Sequence, residues 1–410
     1  MRLFLLAVTI AAAALAAACG GEEAPSATPT ASPATATRTP ATAATSPTVA
    51  PVTPTSAIAP GSSLSPWELT YVSLDGAIWL ANADGTGRMK LADNPCEEVS
   101  AGLARGLTWS PDGRKLALLC DAGGFSRSLV VLDADGRLLT TMDWVSKSWV
   151  SNLRWSPDSG RLAYQFGLLD ACPDLCEVKV LGLADSEDET VVQNACLLDW
   201  PLPDRILVGL NPEIPEDSFN VHYQAYWLDL NTGQRKAVPR FDDAAQFWLS
   251  PDATKAVVLT GQWSEAAGGI PLAIYNLETG EEQPIPGSAI SYPGEGIPPT
   301  HLAISTDGSK LYWANPHATT AIFRANMDGS GLTKLGSVPS KLGSVPSMGV
   351  KLSTNGLVAY RSPAGPGDVP STIVAEDLES GAHAEIWVGE GFPSGTIVWR
   401  PTPSAAGTAW

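Results

Sequence analysis

Along most of the chain, apolar residues come in short runs, unbroken or alternating with polar ones. Each run ends on a cluster of Pro, Asp, Asn, Thr or Gly. One such phrase returns seven times: WSPDGRKLAL at 109–118, WSPDSGRLAY at 155–164, WPLPDRILVG at 200–209, LSPDATKAVVL at 249–259, ISTDGSKLYW at 304–313, LSTNGLVAYR at 352–361 and, cut short, WRPT at 399–402. Each reads as strand, tight turn, strand. A second phrase with Asp-Gly or Thr-Gly at its centre follows, as in IWLANADGTGRMKL (78–91), LVVLDADGRLL (129–139) and LAIYNLETGEEQPI (272–285), and it reads as a hairpin. The match is weakest at 178–192, where the Gly is displaced.

The first residues of the seven phrases are 46, 45, 49, 55, 48 and 47 positions apart. A period of that size with two hairpins per repeat predicts a propeller of four-stranded blades. Residues 67–91 hold only the later strands of a blade, and 396–401 only a first strand. Joined, they complete a seventh blade and remove two open sheet edges. The expected fold is therefore all-β, a seven-bladed β-propeller over 67–403, closed by pairing its N- and C-terminal strands, with a tail at 404–410.

The prolines of these turns preset φ and the carboxylates accept backbone N–H groups. Asp112, Asp158, Asp204, Asp252 and Asp307 are accordingly structural turn residues and not catalytic acids.

The start of the chain is of a different kind. A positive Met1-Arg2 and an apolar stretch from Leu3 to Leu15 form a secretion signal over 1–18, too short for a committed span. Leu15-Ala16-Ala17-Ala18-Cys19-Gly20 resembles a bacterial lipobox, which implies lipidation at Cys19 and an extracytoplasmic protein anchored to the cell membrane. After Cys19, residues 20–66 are nearly all Ala, Thr, Pro, Ser and Gly. That composition offers too little apolar surface to offset the entropy of folding, so 19–66 reads as a disordered tether.

The formal charge is −18. Arg2 and Arg38 balance Glu22 and Glu23, so the whole excess falls on the propeller. Such a surface disfavours nucleic acid and direct membrane docking, leaving membrane contact to the anchor.

Five further cysteines, Cys96, Cys120, Cys172, Cys176 and Cys196, fall in loops or at strand ends expected on the face opposite the Pro/Asp turns. In an exported protein disulfides are expected. The positions propose Cys96–Cys120, with Cys172–Cys176 or Cys176–Cys196 as a second bond. His222, His301, His317 and His383 have no local partner motif, and no nucleophile elbow, phosphate loop or complete calcium loop occurs. No catalytic residue, metal or cofactor is assigned, and the expectation is a protein that is not an enzyme.

The phrases WSPDGRKLA and IWLANADGTG resemble those of TolB-type propellers over about 67–401. That resemblance implies a protein- or peptide-binding scaffold in the cell envelope. The alternative is a carbohydrate- or small-ligand-processing propeller with carboxylates in its channel. The loops of the cysteine face are the expected place for specificity. Trp144, Trp149, Trp263 and Tyr292 are the candidate binding residues there, suited to a protein hot spot or to sugar stacking.

Overall fold

The computed structural model describes the residues from 68 to 401, apart from residue 74 and the segments 98–102, 123–124, 145–147, 169–175, 214–221, 239–245, 260–268, 290–300, 316–320, 338–349, 362–371 and 388–396. The signal, Cys19, the tether and the tail lie outside the described residues, as do Cys172, Trp263 and Tyr292.

Every described sheet has four antiparallel strands, and there are seven such sheets. The first blade consists of β1 (Glu68–Val72), β2 (Ile78–Asn82) and β3 (Met89–Ala92), completed by the last strand of the chain. The second holds β4 (Leu103–Trp109), β5 (Lys115–Ala122), β6 (Phe125–Asp133) and β7 (Leu138–Asp143); the third, β8 (Ser148–Trp155), β9 (Arg161–Leu168), β10 (Glu177–Gly182) and β11 (Asp188–Gln193). The fourth holds β12 (Ala195–Leu202), β13 (Arg205–Glu213), β14 (His222–Asp229) and β15 (Arg235–Ala237); the fifth, β16 (Gln246–Leu249), β17 (Lys255–Leu259), β18 (Leu272–Asn276) and β19 (Glu282–Pro284). The sixth holds β20 (His301–Ile304), β21 (Lys310–Asn315), β22 (Ala321–Asn326) and β23 (Thr333–Ser337). The seventh holds β24 (Lys351–Leu352), β25 (Leu357–Arg361), β26 (Thr372–Asp377) and β27 (His383–Trp387), and β28 (Ile397–Arg400) closes the ring.

The closure is the one expected. β28 pairs antiparallel with β1, Tyr71 opposite Ile397 and Glu68 opposite Arg400. Arg400 holds the joint three ways: its Nη1 donates to Glu68 Oε2 at 2.7 Å, its Nε donates to Gly113 O of the second blade at 2.8 Å, and its guanidinium lies 4.5 Å over the Trp109 ring.

Seven apolar clusters hold the ring, and each lies between two neighbouring blades. Leu69 and Tyr71 pack on Leu357 and Ile373 across the joint of the first and seventh blades. Ile78 and Leu91 pack on Leu116 and Val130 across the next joint, and the pattern repeats around the circle. Because each blade is sandwiched, the middle strands are apolar on both faces, as in KLALL of β5 and KAVVL of β17. This explains unbroken apolar runs where a half-exposed strand would alternate.

The recurrent phrase builds one turn repeatedly. In the second blade Ser110 Oγ donates to Asp112 Oδ1 at 2.6 Å, and Asp112 Oδ1 accepts the Arg114 N–H at 3.0 Å. Ser110 Oγ also accepts the Lys115 N–H at 2.9 Å. The same three bonds recur around Ser156 and Asp158, Ser250 and Asp252, and Ser305 and Asp307. The serine is thus as structural as the aspartate, and all four serines are buried. The residue after the Asp has positive φ in each turn. Gly113 and Gly308 meet this freely, whereas Ser159 (φ 59°) and Ala253 (φ 54°) adopt it at a cost. Ser159 is tied to the second blade, its Oγ accepting the Asp112 N–H at 3.1 Å and its carbonyl the Lys115 Nζ at 2.9 Å.

The fourth blade departs from this. Pro201 stands where the serine would, so no hydroxyl caps the turn, and the ladder runs on to Leu202 opposite Arg205. Asp204 is therefore not a turn cap like the other four: its carboxylate faces Arg205 Nε at 3.6 Å in a half-exposed pair.

These carboxylates give the fold an acid limit. The hydroxyl of Ser305 and the N–H of Ser309 hold Asp307 down to about 2. In Asp112, Asp158 and Asp252, partial burial works to raise the carboxyl. The serine hydroxyls and backbone N–H groups outweigh it and hold each below its ordinary value. A carboxyl lowered in the folded state stabilises it above the unfolded value, and that contribution disappears as pH falls through the folded one. The thermal midpoint is expected to fall as pH is lowered from 3.8 towards about 2. Thermal unfolding of wild type and Ser305→Ala across that range checks this, the variant losing less on acidification.

Candidate functional site: the mouth of the central channel

The innermost strand of each blade, β28, β4, β8, β12, β16, β20 and β24, ends at a recurrent turn, so seven turns converge around the ring axis. There they enclose a cavity of about 930 Å³. Its rim takes one residue from each blade: Pro111, Pro157, Pro201, Pro251, Thr306, Thr354 and Pro401. Its walls are mainly apolar, with Trp155, Trp200, Phe247, Trp248, Leu302 and Ile304 prominent.

Polar groups gather on one side, at the third and fourth blades. Arg154 Nε stands 3.3 Å from Asp199 Oδ1, with side chains 42% and 31% exposed. The same Asp199 oxygen accepts the Trp200 backbone N–H at 2.8 Å. Beside them Asn152 has φ 53° and donates from Nδ2 to Gln165 Oε1 at 3.1 Å. Its left-handed backbone belongs to a bulge in β8, and Gly106 (φ 56°) occupies the matching bulge in β4.

The indoles next to the turns normally bind to neighbouring strands. Trp109 Nε1 donates to Thr70 Oγ1 at 2.9 Å, Trp155 Nε1 to Thr108 O at 3.1 Å, and Trp399 Nε1 to Lys351 O at 3.0 Å. Trp200 is the exception. It is 3% exposed, lines the cavity, and its Nε1–H has no acceptor among the described residues. A buried donor left so costs about 1–3 kcal/mol. The irregular turn that follows it, Pro201-Leu202-Pro203-Asp204, is where the repeat also breaks in sequence.

The residues singled out on the opposite face behave differently. Trp149 lies flat over Gly167, its cross-strand partner: a Cβ there would stand 2.5 Å from the indole. Trp144 packs 5.5 Å from Tyr164 and 6.2 Å from Phe166, between the second and third blades. Both pack in this way and both stay partly exposed. Cys96 and Cys120 are joined in a disulfide with Cα atoms 5.3 Å apart, linking the loop after β3 to β5 of the next blade. Cys176 and Cys196 are not joined, although the Ala195 N–H donates to the Cys176 carbonyl at 3.2 Å. Burial, aided by Cys176, pushes the Cys196 thiol up to about 11, which keeps it protonated and unreactive at neutral pH.

Among the described residues no group of three or more His, Cys, Asp or Glu is placed to hold a metal ion. Asp199 is the one carboxylate among the described lining residues.

No family model and no curated protein matches the chain. Solved structures do. The chain is similar to an uncharacterised protein of Listeria monocytogenes EGD-e, with 10% identity and a TM-score of 0.56, over 79% of this chain and 92% of that one. It is similar to a protein of unknown function from Desulfotomaculum acetoxidans DSM 771, with 13% identity and a TM-score of 0.51, over 82% and 100%. TolB of Acinetobacter baumannii also aligns, with 14% identity and a TM-score of 0.45, over 81% and 82%. Identities this low speak to the fold alone. In strand order and ring closure, the chain is a seven-bladed β-propeller.

Proposed function

We propose that this protein is a lipid-anchored, extracytoplasmic binding scaffold that takes an extended segment of another envelope protein at the mouth of its channel. One observation carries the reading: all seven blades contribute to a single cavity with apolar walls and one ion pair. Apolar walls with a few convergent polar groups suit a ligand held by shape and oriented by hydrogen bonds. Asp199, the one carboxylate among the described lining residues, is paired with Arg154 and so suited to orienting a ligand. The aromatic walls favour a second reading, a carbohydrate ligand, because sugars also stack on indole faces.

Selection of a random peptide library on the full chain in detergent, alongside a glycan array, separates the two. The expected result is a set of peptides whose affinity falls about tenfold, or about 1.4 kcal/mol, on Asp199→Lys. The thermal midpoint should barely move, since a partly exposed pair contributes about 0–1 kcal/mol. Glycan binding without peptide enrichment would establish the second reading, and peptides indifferent to Asp199→Lys would place the site elsewhere.

A further inference from the structure

Each blade ends on an outer strand, β3, β7, β11, β15, β19, β23 or β27, whose far edge pairs with no other strand among the described residues. Such an edge offers a row of backbone donors and acceptors to any extended chain, and folded proteins blunt it with charges or proline. Six of the seven are blunted in this way: β3 by Lys90, β11 by Asp188 and Glu189, β15 by Arg235 and Lys236, β19 by Glu282 and Pro284, β23 by Lys334, and β27 by Glu385.

The seventh, β7, reads Leu138-Leu139-Thr140-Thr141-Met142-Asp143 and has neither a charge nor a proline before its last residue. Leu138 and Leu139 are 60% and 48% exposed. Among the described residues the other large apolar side chain so exposed is Met89 at 49%, on β3. The turn before β7 lies against that same strand: a Cβ on Gly136 would stand 1.7 Å from Leu91 O. The apolar rim is thus local to the first two blades. Both ends of β7 are acidic. Asp133 and Asp135 sit in the preceding turn with Arg137 3.8 and 3.3 Å away, and Asp143 is exposed at the far end.

We propose that β7 is a strand-addition site for an extended segment of a partner protein, β-branched at its centre and basic at both ends. Main-chain bonds along the edge would supply affinity, and alternate side chains would supply specificity. The β6–β7 ladder shifts register at Leu139, a bulge that leaves Leu138 and Leu139 both exposed. Leu139 with the exposed Thr141 meets the β-branched residues of the incoming strand. The basic ends meet Asp143 and the Asp133–Asp135 turn, which accords with a chain of charge −18. The surface lies on the outer rim, away from the channel mouth, so it stands whether or not the cavity binds a peptide.

The probe is a capped seven-residue peptide with lysine at each end and alternating valine and threonine between, added to the full chain. The expected result is saturable binding that slows amide exchange over residues 138–143. Leu139→Lys, which installs the charge the other edges carry, weakens binding tenfold or more at an unchanged thermal midpoint, and a peptide with central proline does not bind. Equal binding by Leu139→Lys, or by the proline peptide, overturns the proposal, because contact would then be electrostatic only. A wild-type chain that dimerises without peptide, while Leu139→Lys stays monomeric, overturns the proposed occupant in favour of a second copy.

Discussion

Ile397→Asp is expected to open the ring. Ile397 is 2% exposed, pairs with Tyr71 and packs in the cluster shared by the first and seventh blades. A carboxylate there loses the burial of the side chain and leaves a charge without a partner in an apolar joint. Together these cost about 3–5 kcal/mol or more. For a domain of this size the thermal midpoint should fall by about 10 °C. Trp399→Ala should act at the same joint, since it removes the bond to Lys351 O and the packing of the ring. The opened β1 edge is the second consequence, because an unpaired strand recruits other chains. Light scattering during the melt should report oligomers for both variants and none for Met89→Ala, whose side chain is exposed. Midpoints equal to wild type would mean that β28 is dispensable to the ring.

Replacing Cys96 and Cys120 together by alanine has the next largest expected effect. The bond closes a loop with a sequence separation of 24, and both residues are fully buried between the first two blades. The loop-entropy relation gives about 3.5 kcal/mol for a loop of that length. It adds to the closure at β28, since both fasten the first blade. Denaturant unfolding of the double variant should show a lower midpoint with a steeper slope, because the unfolded chain expands without the cross-link. In wild type a reductant should release the Cys96 and Cys120 thiols to an alkylating reagent only after unfolding, because the bond is buried. A double variant as stable as wild type would show that the blades need no covalent link.

The repeat made the fold legible before any coordinates because it encodes turns. Pro, Asp and Gly fix backbone angles locally, and seven copies at a near-constant interval leave few topologies. The closing strand was legible for the same reason, from a first strand without its blade at one end and a blade without its first strand at the other. The capping serine of each turn carries no signal in sequence, because its hydroxyl bonds only across the finished turn, to the Asp carboxylate and from an N–H five residues on. The break at Pro201 was visible in sequence, but its consequences for Asp204 and for the Trp200 N–H depend on the register of β12 and β13.

The site was less legible than the scaffold. Aromatic residues near polar loops drew attention to Trp144 and Trp149, yet these pack on Tyr164 and Gly167, contacts that only blade stacking creates. The cavity is formed by residues up to 290 positions apart, from Pro111 to Pro401, none of which is distinctive alone. Pro111 and its equivalents mark turns in sequence; that seven turns form a rim follows only from ring closure. We propose the turns as the binding face in place of the cysteine loops, where Trp263 and Tyr292 lie outside the described residues.

That shift is the central claim, and crosslinking in the native envelope tests it most directly. A photo-reactive residue placed at Thr354, exposed on the cavity rim, is compared with one at Gln193, exposed next to Cys196 on the other face. The account predicts one protein adduct from Thr354, lost when Asp199→Lys is added, and none from Gln193. An adduct from Gln193 with nothing at Thr354 would contradict it and return the binding face to the cysteine loops.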